Sequence, residues 1–179
     1  MSAVQGIVRE TFPPRYVPAK DPECYLGLDP GTAFGWALLD ASGKRLIASG
    51  TWDLRVRTGE GGGMRFLRLR SLLRTVISDS RPVAVGYELV RRHAGTVAAQ
   101  VYGGMTATLT AVCDEIGVSY HPVNVADPKR VATGKGNAGK PAMLAAARAK
   151  WPGTAIATDD EADACWIAEV VRSLLEIPF

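Results

Sequence analysis

Four acidic residues occupy positions from which they could together hold a divalent metal ion. Asp29 and Glu88 each end a short apolar run, whereas Asp160 and Asp163 lie three residues apart at the start of a predicted helix. A carboxylate in such a place is expensive to desolvate unless it has a partner. Hard divalent cations prefer oxygen ligands of this kind. The four acids therefore predict a metal site built from two strands and one helix.

Structural explanations also exist for some acids in these segments. Thr158 and Glu161 fit a capping box, and the helix dipole favours acids in the first turn. Asp163 lies one turn further in, on the apolar side of the helix, so its carboxylate should point towards the core. Taken singly, Asp29 could cap a turn and Glu88 could be an exposed strand terminus. The metal site is preferred because the alternative requires several unrelated structural explanations to apply to these acids at once, by coincidence.

The elements that must position these acids indicate a mixed α/β fold. Apolar runs bounded by turn residues predict strands at 25–29, 35–40, 45–52, 83–87 and 118–125. Stripes of helical period predict helices ending near residue 80 and covering 97–116, 141–151 and 159–175. An antiparallel meander followed by alternating helices and strands predicts a five-stranded mixed sheet with helices on both faces. The Pro-rich residues 1–22 are predicted to form an extended arm before one domain of residues 23–179.

Composition places the chain among ordinary globular proteins. Its 179 residues are 47% hydrophobic and 22% charged, which fits one domain with a core of its own. Residues 1–22 lack the apolar block of a secretory signal, so we expect a cytoplasmic protein with no membrane span. The three cysteines are too far apart for a zinc pattern and are expected to be buried, reduced thiols.

Charge is unevenly distributed along the chain. Residues 44–92 carry eleven Lys or Arg against four Asp or Glu, whereas residues 153–179 carry one Arg against six acids. Cations that grip a phosphate backbone beside acids that hold metal ions are what a nuclease needs. A solvated Arg-rich surface with no partner is the alternative.

The chain resembles the RuvC family of Holliday-junction resolvases, which belongs to the RNase H-like group. The resemblance rests on Leu26-Gly27-Leu28-Asp29-Pro30-Gly31, on the strand that ends at Glu88, and on Asp160-Glu161-Ala162-Asp163-Ala164. The segment from Lys129 to Lys140 has the spacing Lys-x4-Gly-x-Gly-x-Ala-x-Lys of that family's basic connection. The resemblance covers the chain from Tyr25 to about Val171 and implies an RNase H-like fold.

The resemblance also implies a catalytic site that uses two Mg²⁺ ions, for which Mn²⁺ should substitute. It assigns Asp29, Glu88, Asp160 and Asp163 as metal ligands, with Asp29 bridging both ions. It adds Lys129 and Lys140 as catalytic cations that hold phosphates or stabilise developing charge. The implied reaction is phosphodiester hydrolysis that leaves a 5′ phosphate and a 3′ hydroxyl.

The implied partner is four-way or otherwise branched DNA, bound by a homodimer because two symmetric nicks need two sites. The helix containing Gln100, Tyr102, Gly103 and Gly104 is a candidate for the dimer interface, although packing within one chain is at least as good an explanation. The predicted DNA-binding residues are Arg68, Arg70, Arg74, Arg91, Arg92, Lys129, Arg130, Lys135 and Lys140.

One position departs from the family pattern. Family members often have an aromatic residue three positions after the catalytic Glu, used to wedge or stack at the junction, whereas this chain has Arg91 followed by Arg92 and His93. Arginine can stack on a base and bind phosphate, but it specifies unstacking less strongly. A broader specificity for branched DNA, as in phage members of the family, is therefore an open hypothesis.

Two other functions remain possible from the sequence alone. The run from Leu26 to Thr32 also resembles the first phosphate loop of actin-like ATPases and sugar kinases. Those proteins normally need a second such domain, for which this chain has no room. The other alternative is a catalytically silent module that binds branched DNA and needs no metal.

Overall fold

A computed structural model describes residues 23–175, and a five-stranded sheet lies at its centre. The strands are β1 (Cys24–Asp29), β2 (Ala33–Asp40), β3 (Leu46–Asp53), β4 (Ala84–Leu89) and β5 (Ser119–Asn124). Their order across the sheet is β3-β2-β1-β4-β5, in which β2 is antiparallel to β1 and β3, whereas β1, β4 and β5 run parallel. The predicted mixed sheet is confirmed.

Helices cover both faces of the sheet. They are α1 (Met64–Ser80), α2 (Thr96–Ile116), α3 (Ala126–Thr133), α4 (Lys140–Lys150) and α5 (Asp159–Leu175). Helix α3 falls where the sequence suggested only a Lys- and Gly-rich connection, and it ends on Gly134 with φ at 76°. The predicted arm of residues 1–22 lies outside the described residues.

Helices α1 and α2 pack on one face against large side chains. Strand alternation sends Leu26 and Leu28 of β1 to this face, together with Phe34 and Trp36 of β2. Trp52 stacks between Phe34 and Trp36, with ring centroids 5.6 Å from each. This face therefore contains most of the bulky aromatic core.

Helix α5 packs on the opposite face against glycines. Gly27, Gly35 and Gly86 lie on the three central strands, and a Cβ added to any of them would collide with α5. At Gly86 the added atom would be 2.5 Å from Val171 Cγ2, and at the other two it would meet backbone carbonyl oxygens. The missing side chains let the helix backbone approach the sheet directly.

The structure corrects the prediction for Arg68. It was predicted from the sequence to bind DNA, yet it is only 7% exposed. Its guanidinium pairs with Glu60 in the Gly-rich segment and donates to the Arg55 carbonyl oxygen at 2.9 Å. A buried arginine needs such partners, and its burial keeps the guanidinium away from DNA.

Smaller features agree with the composition. Cys24, Cys113 and Cys165 are buried and free, as predicted, and burial raises the pKa of the Cys24 thiol to about 11. Within residues 23–175, none of the helices combines the length and apolar character needed to cross a membrane. Strand β5 is an edge strand and contains Pro122, paired in register with Tyr87.

Candidate active site

The ends of β1 and β4 bring the first two acids side by side. The parallel register pairs Gly27 with Gly86 and Leu28 with Tyr87, so the next residues along are Asp29 and Glu88. Because side chains alternate along a strand, Asp29 and Glu88 lie on the same face of the sheet as Gly27, Gly35 and Gly86. This is the glycine face, against which α5 packs. Two neighbouring strands thus place their carboxylates at the same end of the sheet, on the face covered by one helix.

The first turns of α5 bring the other two acids to the same place. Gly35 pairs in register with Asp29, and a Cβ on Gly35 would collide with the Asp160 backbone. One turn further along, a Cβ on Gly27 would collide with the Ala164 carbonyl oxygen, next to Asp163. The glycine face therefore sets how near the helical acids approach the strand acids.

Glu161 anchors the beginning of α5 and is a structural acid. The Thr158 hydroxyl accepts a hydrogen bond from the Glu161 amide at 3.1 Å, as a capping box predicts. The Glu161 carboxylate accepts from the Ala157 amide at 2.8 Å and from the Ser49 hydroxyl at 2.6 Å. The bond from Ala157 therefore comes from one residue further back than in a regular capping box. The bond from Ser49 ties α5 to β3.

Crowding and burial disfavour negative charge on all four candidate ligands. The pKa of Asp29 lies well above its usual range, first because of desolvation and then because of the charges on Glu88, Asp163 and Asp160. Desolvation and Glu88 raise the pKa of Asp163 to about 6. Burial raises the pKa of Glu88 also, and burial and Asp159 raise that of Asp160. The acids are thus close enough to repel one another, and a cation would relieve the repulsion.

Two lysines lie beside the acids. Lys140, at the start of α4, forms an ion pair with Asp159 at the start of α5, and this hydrogen bond raises the pKa of the lysine. Its charge also offsets part of the rise in the pKa of Asp29 and Glu88, although burial dominates and both stay raised. Lys129 of α3 acts in the same sense on Glu88. The predicted catalytic cations therefore lie within electrostatic reach of the acids.

The other predicted DNA-binding residues are spread over the surface. Arg70 and Arg74 of α1 both pair with Glu115 of α2, at 2.8 and 2.5 Å, while each stays about half exposed. Arg130 pairs with Asp127 at 2.9 Å. Arg91 and Arg92 follow β4 directly and are exposed, as is Lys135. The two arginines after β4 are therefore those that adjoin the acidic site along the chain.

A cavity lined by the segments that follow β1 and β4 was not predicted from the sequence. It has a volume of about 470 Å³, and its walls include the loop after Asp29 together with Arg65, His93 and Tyr102. These residues come from separate elements, so no local motif joins them. Only the position of His93 a few residues after Glu88 could have suggested its proximity.

The chemistry of the donor set fits hard divalent cations. Four carboxylates from three elements offer oxygen ligands, which Mg²⁺ and Mn²⁺ prefer over the nitrogen and sulfur ligands that this place lacks. Within residues 23–175, His, Cys, Asp and Glu side chains nowhere form a group of three already close enough to hold a metal ion. The carboxylates would therefore have to close around a cation.

Comparison with known proteins gives the family. No family model matches the chain. It is 30% identical over 147 residues to the crossover junction endodeoxyribonuclease RuvC of Afipia carboxidovorans, a match spanning 80% of this chain and 84% of the relative. The RuvC of Zymomonas mobilis is 29% identical over 148 residues, covering 80% of this chain and 87% of the relative. The chain belongs to the RuvC family.

The RuvC fold is also found by structure. The chain superposes on Thermus thermophilus RuvC, solved in complex with a Holliday junction substrate, with a TM-score of 0.71 and 22% identity. The superposition covers 83% of this chain and 92% of that one. This likeness confirms the predicted RNase H-like fold, and the curated RuvC relatives confirm the nuclease class, while the roles of individual site residues stay predictions.

Proposed function

We propose that this RuvC protein resolves four-way DNA by paired, metal-dependent nicks, with Asp29, Glu88, Asp160 and Asp163 as its metal ligands. The observation that supports this assignment is their convergence: two parallel strands and one closely packed helix direct four carboxylates to one end of the sheet. Their raised pKa values are the expected mark of a site built to receive positive charge.

Mg²⁺ is the proposed cation, two ions per site, with Mn²⁺ able to replace it. When bound, the two ions would activate water for attack on phosphorus and would neutralise the charge on the leaving 3′ oxygen. Asp29, on the strand between those of Gly35 and Glu88, would hold both ions, as the family resemblance implies. The carboxylates hold their positions through the strand register and the glycine contacts.

The lysines are proposed to bind the DNA phosphates around the cleaved bond. Lys140 reaches the site from α4 and keeps its charge through Asp159, while Lys129 approaches Glu88 from α3. Fixed positive charges near a pentavalent phosphorus stabilise the charge that develops there. The products are expected to carry a 5′ phosphate and a 3′ hydroxyl.

The exposed cations are proposed to position the DNA backbone. Arg91 and Arg92 are exposed three and four residues after Glu88, and a homodimer would place two such sites on a symmetric junction. A cytoplasmic location and the α2 interface stay predictions. The proposed surface contacts beyond the site are Arg70, Arg74, Arg91, Arg92, Arg130 and Lys135.

The decisive experiment compares cleavage with binding. Labelled four-way, three-way, flap and linear DNA are incubated with the wild type and with Asp29→Asn, in Mg²⁺ or in EDTA. We expect wild-type nicks in four-way DNA with Mg²⁺ only, and unimpaired junction binding without cleavage by Asp29→Asn. Asp79→Asn, at an exposed position on α1, is the matched control and should cut normally. Failure of the wild type to nick any branched substrate would contradict the proposal.

The same assay separates the alternative functions. A silent DNA-binding module predicts that Asp29→Asn and the wild type behave identically. An actin-like ATPase predicts phosphate release from ATP without DNA. Cutting of flaps as efficiently as crossovers would retain the nuclease and change only its specificity.

A further inference from the structure

An ion pair joins the beginnings of α4 and α5 beside the proposed metal ligands. The ammonium of Lys140, the first residue of α4, donates a hydrogen bond to the carboxylate of Asp159, the first residue of α5. Asp159 directly precedes Asp160 but is not one of the four proposed ligands. The helix dipole favours an acid in this turn, so a purely structural role is the competing explanation.

Asp159 is the fixed partner in this pair. The segment before it is tied to α4, because the Arg148 guanidinium donates to the Ile156 carbonyl oxygen at 2.9 Å. It is tied to β3 as well, through a hydrogen bond of 2.9 Å between the hydroxyls of Thr158 and Thr51. The side chain of an aspartate is short, so a fixed backbone leaves its carboxylate few positions.

Lys140 is the long and exposed partner. Its side chain is 70% exposed and follows Gly139 at the end of the segment between α3 and α4. A lysine side chain has many rotamers, and holding it in one of them costs conformational entropy. Asp159 therefore selects, among the positions open to the ammonium, one that lies near the acidic site.

The proposed ligands also attract Lys140, but this attraction depends on their charge being free. Asp160 and Asp163 support the positive charge of Lys140 from a longer range than Asp159 does. Divalent cations bound to these carboxylates would cancel that attraction. Asp159 differs from the ligands in that the hydrogen bond from Lys140 lowers its pKa, whereas burial raises theirs. Asp159 would therefore keep its negative charge and still hold the lysine.

We infer that Asp159 is a positioning residue, which holds the Lys140 ammonium at the edge of the metal site so that it meets the phosphate being cut. The inference rests on the proposed function, since Lys140 is proposed to bind the DNA there. Asp159 acts through Lys140 and touches neither the DNA nor a cation. A charge that is already in place needs no reorganisation when negative charge develops on the phosphate, so its position affects the rate.

A double-mutant cycle separates this role from a structural one. Asp159→Asn, Lys140→Gln and the variant with both changes are compared with the wild type in single-turnover cleavage of four-way DNA at saturating protein. We expect losses of about tenfold for Asp159→Asn and about 100-fold for Lys140→Gln, the sizes of one lost charged hydrogen bond and one lost transition-state contact. The double variant should lose no more than Lys140→Gln alone, because Asp159 acts through the lysine.

The order of the lysine side chain gives a second measurement, which needs no cleavage. In protein with ¹³C-labelled lysine, with Mg²⁺ and without DNA, NMR order parameters are measured for Cε of Lys140 and of Lys44, an exposed lysine in the turn after β2. We expect Lys140 to be more ordered than Lys44 in the wild type and to match Lys44 in Asp159→Asn. Asp79→Asn, at an exposed position on α1, is the matched control and should leave both lysines unchanged.

Several results would overturn the inference. One is a loss from Asp159→Asn that recurs in full in the Lys140→Gln background, which would mean that Asp159 stabilises α5 or binds a cation itself. Another is wild-type cleavage by either single variant. A third is an order parameter of Lys140 that does not change in Asp159→Asn.

Folding and general activity are controlled separately. Circular dichroism checks each variant, and Asp159→Ser, which also suits the beginning of a helix, repeats both measurements if Asp159→Asn does not fold. Absence of wild-type cleavage on every branched substrate would refute the proposed function. Normal wild-type cleavage combined with an additive cycle would refute only the positioning role of Asp159.

Discussion

The two faces of the sheet are packed by opposite means. The face under α1 and α2 is filled by large side chains, with Trp52 stacked between Phe34 and Trp36. The face under α5 has Gly27 and Gly35 at the points of closest contact, where even a methyl group would collide. Both faces bury apolar side chains, among them Trp166, Ile167 and Val171 of α5, but only on the α5 face does a helix backbone contact the central strands directly.

This difference separates stability from catalysis. Bulky contacts on the α1 and α2 face contribute the burial that holds the fold together. Close contacts on the α5 face carry acids on both sides of the interface, and their mutual repulsion opposes folding. Variants on the glycine face should therefore affect cleavage most, and variants on the bulky face should affect stability alone.

Gly35→Ala should produce the largest effect. The new methyl group would collide with the Asp160 backbone, so α5 must move away from Asp29. Misplacement of catalytic groups by about 1 Å can cost on the order of 100-fold in rate, and we expect at least that loss in single-turnover cleavage. Gly62→Ala is the control, because nothing lies within 4 Å of its added Cβ. Wild-type cleavage by Gly35→Ala would refute the role of the glycine face.

Asp163→Asn should stabilise the metal-free protein at high pH. Its folded-state pKa is about 6 against an ordinary 3.8, so the folded state binds the proton more tightly and loses stability as pH rises through that interval. After allowance for solvent screening, we expect a gain of about 1–2 kcal/mol at pH 8 and none at pH 4.

Urea unfolding in EDTA at both pH values measures the gain for Asp163→Asn. The exposed Asp79→Asn serves as the charge control and should change little at either pH. Added Mg²⁺ should reverse the order, because the wild type gains binding energy that Asp163→Asn has lost. An equal effect of Asp163→Asn at pH 4 and pH 8 would contradict the repulsion between the acids.

Ile77→Val tests the bulky face. Ile77 is 1% exposed in the core under α1, and loss of one buried methylene should cost about 1 kcal/mol of unfolding free energy. Cleavage below the unfolding transition should be unchanged. Leu67→Ile at a 54% exposed position of the same helix should cost less than about 0.5 kcal/mol. A marked loss of cleavage by folded Ile77→Val would remove the distinction between the faces.

Glu115→Gln should have the smallest effect. It removes the pairs with Arg70 and Arg74, but all three side chains are more than a third exposed and solvent screens them. We expect a loss of roughly 0.5 kcal/mol at low salt that disappears near 1 M salt. A loss that persists at high salt would show that these pairs contribute through packing.

The acidic residues could be found from the sequence because local signals place them. Asp29 and Glu88 follow apolar runs, and the carboxyl ends of parallel strands meet at one edge of a sheet. Asp160 was supported mainly by its spacing, and its proximity to Asp29 depends on the contact of α5 with Gly35. Strand ends are thus predictable, whereas distances between helix and sheet are not.

What escaped prediction depends on contacts between distant segments. Arg68 looks like a surface residue until Glu60 and the Arg55 carbonyl are seen to surround it. Helix α3 has only eight residues and contains Pro128 and two basic residues, so its apolar period is weak. Tyr102 was considered for a dimer interface, and only the tertiary structure joins it to Glu88.

Pro122 has a consequence for how chains meet. An edge strand with free amide groups can pair with the edge of another sheet, which leads to open-ended aggregates. Proline offers no amide hydrogen, so β5 cannot donate along its whole length to an added strand. The β5 edge is thereby protected against growing into a continuous intermolecular sheet.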